Sequence, residues 1–105
     1  MGMNMTHISV EEMQKNASAA EKLLKSLANS HRLMVLCHLV QGESTVGELE
    51  AKLDISQSSL SQHLAKLRSQ GIVGYRKEGT TVFYRIEDKK ALAVLDSLYG
   101  IFCKP

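Results

Sequence analysis

Proline is all but missing from this 105-residue chain, where the only one is Pro105. Helices can therefore run as far as their caps allow, because no interior residue lacks its backbone donor or has its φ locked. Tryptophan is absent and aromatics make up 5% of residues, so aliphatic side chains must fill the core. Two cysteines, Cys37 and Cys103, are too few for a disulfide framework. No apolar run approaches the roughly 20 residues that span a bilayer, and no basic-then-apolar leader opens the chain. We therefore expect a cytoplasmic protein with no membrane partner. A phosphate loop, a nucleophile elbow and a run of metal ligands are missing as well. Neither an enzyme, a bound cofactor nor a metal site is expected on those grounds.

Charge is scarce in total, with a net of +2, yet it is unevenly spread. Ser56 to Gly79 carries Lys66, Arg68, Arg76 and Lys77 against Glu78 alone, whereas Glu43 to Asp54 carries four acids against Lys52. The basic excess coincides with the most informative stretch, SQSSLSQHLAKLRSQG at 56–71. Ser56 is placed to cap a helix starting at Gln57, and Gly71 to end it. Leu60, Leu64 and Leu67 recur at helical spacing and form its apolar back. Its front holds Gln57, Ser58, Ser61, Gln62, Ala65 and Arg68, with no acid. Such a front suits phosphates and base edges, because Gln and Ser both donate and accept in compact geometry.

A shorter helix precedes it, with Ser44 as its expected cap and Val46, Leu49 and Leu53 facing inward. Two helices joined by Asp54-Ile55-Ser56, the second with a polar front, make a helix-turn-helix. Upstream, Ser9 and Glu12 form a capping box for a first helix lined by Val10, Met13, Ala17, Ala20, Leu24 and Leu27. A second helix spans about Ser30 to Val40, with Leu33, Leu36, Cys37 and Val40 on one stripe. Downstream the period turns from helical to alternating, with Val73 and Tyr75, then Val82, Tyr84 and Ile86, on one side. Gly79-Thr80 between these runs suits a tight turn. A last helix from Asp88 to about Phe102 is apolar on two faces, one more than its own domain needs. The expected fold is mainly α with a β-hairpin wing, a winged helix-turn-helix at 9–105 preceded by a flexible terminus at 1–8.

These elements and residues resemble the ArsR/SmtB family of bacterial winged-helix repressors. The match is densest in LANSHRLMVLCHL, TVGELEAKLDISQSSLSQHLAKLRSQGIV and RKEGTTVFYRI. The resemblance implies a homodimer joined through the first and last helices, an inverted-repeat operator on double-stranded DNA, and release by an inducer. The family's arsenic and cadmium members carry Cys-x-Cys near the third helix, where this chain has Ser44-Thr45-Val46-Gly47. Its zinc members carry histidine ligands along the last helix, where this chain has Asp88 and Asp96 but no histidine. Cys37 and Cys103 instead resemble the cysteine pair of the HlyU/SqrR/BigR-type branch. The resemblance implies that reactive sulfur species or oxidants bridge them and release the DNA.

On the DNA side, Gln57, Ser58, Ser61 and Gln62 are the groove candidates. Lys66, Arg68, Arg76 and Lys77, with Thr80 at the wing tip, are the phosphate candidates. His63 falls on the apolar side of its helix and reads as a packed histidine, and the role of His31 is open. A direct disulfide needs Cα atoms within about 7 Å, a limit that inserted sulfurs relax. Three alternatives stand beside the sensor reading. One is a metal held by Cys37, Cys103 and His7 or His38; the others are a thiol enzyme using Cys37 and a protein-interaction module.

Overall fold

The computed structural model describes residues 8–103 and contains five helices and three strands. Helix α1 (Val10–Leu27) starts on the capping box expected of Ser9 and Glu12, with the Glu12 amide donating to Ser9 Oγ at 3.1 Å. Helix α2 (Ser30–Val40) is capped by Asn29. Its Arg32 reaches back to α1, donating to the carbonyls of Ser26 at 2.7 Å and Lys25 at 3.3 Å. These bonds satisfy carbonyls that the end of a helix leaves without partners.

Strand β1 (Ser44–Thr45) leads into α3 (Val46–Leu53), and α4 (Gln57–Ser69) follows after Asp54, Ile55 and Ser56. Asp54 turns the corner in the left-handed region at φ 53°, which aspartate tolerates better than most residues. Ser56 caps α4 as expected, accepting from the Ser59 amide at 3.3 Å, and Gly71 ends it at φ +74°. Strands β2 (Val73–Glu78) and β3 (Thr81–Ile86) form the wing, with Tyr75 opposite Tyr84 and Gly79 at φ +64° in the turn. Helix α5 (Lys89–Phe102) closes the chain on an Asp88 cap.

The core lies where α2, α3, α4 and α5 meet the base of the wing. Leu36, Leu49, Leu60, Leu64, Leu67 and Leu95 are fully buried there. At roughly 25 cal/mol per Å² of apolar surface, leucines of this kind supply most of the driving force.

The structure corrects the expected pattern in three places. Thr45, rather than Ser44, caps α3, and with Glu48 it completes a second capping box. Ser44 is instead held in β1, opposite Tyr84 of β3, so the expected hairpin is the larger part of a three-stranded sheet ordered β1-β3-β2. The stripe along α1 does not face this core. Leu27 is buried, but Val10, Met13 and Leu24 are 70%, 52% and 56% exposed. On α2 the buried face centres on Val35, Leu36 and Leu39, which leaves Leu33, Cys37 and Val40 at its edge.

Candidate DNA-reading face and thiol pair

Helix α4 turns Leu60, Leu64 and Leu67 inward, and this places Gln57, Ser58, Ser61 and Gln62 on the exposed side. Lys66 and Arg68 occupy its last turn and are also exposed. The Arg68 guanidinium lies 4.1 Å from the centre of the Tyr75 ring, a cation–π contact that seats the arginine between α4 and the wing. Lys77 and Thr80 are exposed along the wing, Thr80 in its turn.

Arg76 is placed differently from the other basic residues. Its Nε donates to both carboxylate oxygens of Glu43 at 3.0 Å, and Nη2 lies 2.9 Å from Glu43 Oε1. Nη1 donates to Glu78 Oε2 at 2.7 Å, and the guanidinium sits 4.5 Å from the centre of the Phe83 ring. The hydrogen bonds from Arg76 hold the Glu43 carboxyl below its usual range, and the two carboxylates raise the Arg76 pKa further. Sequence reasoning missed Glu43 as a partner, since 33 positions separate it from Arg76 and only the β1-β3-β2 sheet brings them together.

The structure also pairs two histidines. His31 in the first turn of α2 and His63 in α4 meet edge to face, with ring centroids 5.9 Å apart. His63 is partly buried, as its position on the apolar side suggested. Burial first, then the charges of Arg32, His31 and Lys66, push its pKa down.

Cys37 lies on the half-buried edge of α2, and Cys103 caps α5 in an exposed position, its amide donating to the Tyr99 carbonyl at 2.8 Å. Helices α2 and α5 pack together, so the two thiols are placed by one helix pair. Burial pushes the Cys37 thiol up, and charge on Cys103 pushes it further. A thiol raised in this way reacts slowly, because the thiolate is the nucleophile. His38 follows Cys37 in sequence but lines a separate hollow with Gln41, Ser44 and Glu48. Among the described residues no group of three His, Cys, Asp or Glu could hold a metal ion, and His7 lies outside them.

Residues 29–75, which hold α2, the helix-turn-helix and the start of the wing, match the model of bacterial regulatory proteins of the arsR family. Over 103 residues the chain is 48% identical to the biofilm growth-associated repressor of Agrobacterium fabrum, covering 98% of this chain and 88% of that protein. The chain belongs to the ArsR family. It is 45% identical to the transcriptional activator HlyU of Vibrio cholerae over 97 residues, 92% of this chain and 90% of that one. Reduced HlyU from Vibrio cholerae superposes with a TM-score of 0.86 at 46% identity, covering 90% of this chain and all of that one. The transcriptional repressor BigR of Xylella fastidiosa superposes with a TM-score of 0.85 at 45% identity, covering 90% and 94%. This ArsR-family chain is a DNA-binding transcriptional regulator and not an enzyme. The expectation of a winged helix-turn-helix stands.

Proposed function

We propose that this regulator is a repressor that binds an inverted-repeat operator as a homodimer and leaves it when Cys37 and Cys103 become bridged. The observation that carries the proposal is the placement of the two cysteines on one packed helix pair, Cys37 on the edge of α2 and Cys103 at the end of α5. A bridge asks the exposed C-terminal cap to bring the Cys103 sulfur to Cys37.

Reaction order follows from their settings. Cys103, exposed, attacks a disulfide or polysulfide R–S–S–R first, forming a mixed disulfide and releasing one thiol. Cys37 then attacks the Cys103 sulfur, closing the bridge and releasing the second thiol. Two protein thiols lose two electrons and two protons, and the donor gains both. Where the donor passes on extra sulfur, the bridge is longer and the geometric demand looser.

Homodimer formation is supported by what the protomer leaves bare. Val10, Met13 and Leu24 of α1 and Ile101 and Phe102 of α5 are exposed apolar residues, the two helices expected to form the seam. A bridge from α2 to the end of α5 shifts that seam and with it the spacing of two α4 helices, which must match half-sites about one DNA turn apart. Gln57, Ser58, Ser61 and Gln62 read the groove, while Lys66, Arg68, Lys77 and Thr80 meet phosphates. A coupling of about 1–3 kcal/mol lowers operator affinity roughly 5- to 150-fold.

The test is binding to a duplex of the chain's own promoter before and after inorganic tetrasulfide, with intact mass measured in parallel. The native protein is expected to gain sulfur, lose two protons and release the DNA. Cys37→Ser and Cys103→Ser are expected to bind DNA and to ignore the donor. Full release in both variants overturns the mechanism, as does release by zinc alone under anaerobic conditions.

A further inference from the structure

A cluster of basic side chains lies on the α2 side of α4. His31 and Arg32 come from α2, His63 and Lys66 from α4, and the two imidazoles stand edge to face at 5.9 Å. Among the described residues no carboxylate pairs with any of the four. Arg32 is spent on the α1 carbonyls, which leaves Lys66 and the histidine pair with donors to offer.

The cluster sits beside the reading face. On α4, Lys66 lies between exposed Gln62 and partly buried His63 around the helix. A duplex that places its groove against Gln57, Ser58, Ser61 and Gln62 brings one backbone strand along this flank, while the opposite flank, with Arg68, adjoins the wing. We infer that His31, His63 and Lys66 form a seat for one backbone phosphate, with the imidazole pair taking up a proton as the phosphate arrives. The inference rests on the DNA-binding orientation of α4 proposed above and adds a subsite and a proton to it.

The physical reason is the balance of charge. The fixed charges bearing on His63 come from Arg32 on α2 and Lys66 on its own helix, both positive, with the His31 imidazole beside them and no group of α3 among them. In the free protein these cations and partial burial favour the neutral ring. A phosphate is the missing anion. Its arrival reverses the sign of the local field and favours the charged imidazole, which then donates a charge-assisted hydrogen bond. Proton uptake on binding requires affinity to rise as pH falls through the histidine range, about tenfold for each unit by which binding raises a histidine pKa. Because the contact is to backbone, the effect belongs to any duplex sequence.

The experiment measures affinity for a promoter duplex and for a duplex of unrelated sequence, between about pH 8 and about pH 5.5 at fixed ionic strength. Native protein, His31→Gln, His63→Gln and Lys66→Gln are compared. We expect several-fold tightening of the native protein on acidification with both duplexes, and a flattened profile in each histidine variant. Lys66→Gln is expected to lower the salt slope by about 0.9. His31 is exposed, so its variant folds even if His63→Gln does not. Native-like pH profiles in both histidine variants overturn the seat while leaving α4 as the reading helix. Failure of the native protein to bind either duplex overturns both.

Discussion

Arg76 offers a sharp test of which basic residues face DNA. Its position on the wing suggests a phosphate contact, but its guanidinium already carries bonds of 2.7 to 3.0 Å to Glu43 and Glu78. A phosphate would have to compete with two carboxylates in place. Replacing Arg76 alone is ambiguous, because it strips a positive charge from a surface near a polyanion. The double variant Arg76→Gln/Glu43→Gln removes one charge of each sign and keeps the net charge constant. Each phosphate contact contributes about 0.9 to the slope of log affinity against log salt, or about a 3.5-fold loss of affinity for a fourfold rise in salt. If Arg76 braces the wing against the segment before β1, the double variant keeps the native slope. Its wing is expected to loosen, which amide exchange in β2 and β3 would report as faster opening. A slope reduced by about 0.9, with exchange unchanged, would refute this reasoning and make Arg76 a phosphate ligand.

Three further outcomes follow from the same coordinates. Leu64→Ala, at a side chain 1% exposed, should cost about 2–5 kcal/mol, read from urea midpoints. Thr45→Ala should cost about 1 kcal/mol through the lost α3 cap, whereas Ser44→Ala leaves the Thr45–Glu48 box in place and should cost less in the same assay. The free protein should lose stability on acidification through His63. Its folded pKa lies below the ordinary 6.5, so the unfolded chain takes the proton first, and the contribution is complete above that pH and declines below it. Urea midpoints against pH should be flatter in His63→Gln.

Much of the fold was legible because its signals are local. Ser9 with Glu12, Ser56 with Gly71, and Gly79 in the wing turn each act within a few residues, and all occur where expected. The cap of α3 was misplaced by one residue because Ser44 and Thr45 are both competent hydroxyl caps. The choice is made by pairing of Ser44 and Thr45 with Tyr84 and Phe83, far along the chain, and a two-residue strand has no period to detect. The α1 stripe shows a different limit. Periodicity reveals that Val10, Met13 and Leu24 share an apolar face, but it does not say whether their own domain covers it, and here it does not. The site was legible in residue type and only partly in arrangement. The polar front of α4 follows from its leucine back, yet the Glu43–Arg76 ion pair and the His31–His63 contact join distant parts of the chain and exist only in the folded protein.

Helix α5 is gripped near its root and bare at its tip. Ala91 and Leu95 are buried, while Ile101 and Phe102 stand 70% and 78% exposed beside Cys103. From Leu95 to Cys103 is eight residues, about 12 Å of rod at 1.5 Å each. A tether fastened at the far end of such a lever acts about a fulcrum at Leu95 and displaces most strongly the side chains nearest the fastening. The greasy tip and the Cys103 sulfur thus travel as one, and any surface resting on Ile101 and Phe102 would feel a tether at Cys103 as a mechanical displacement.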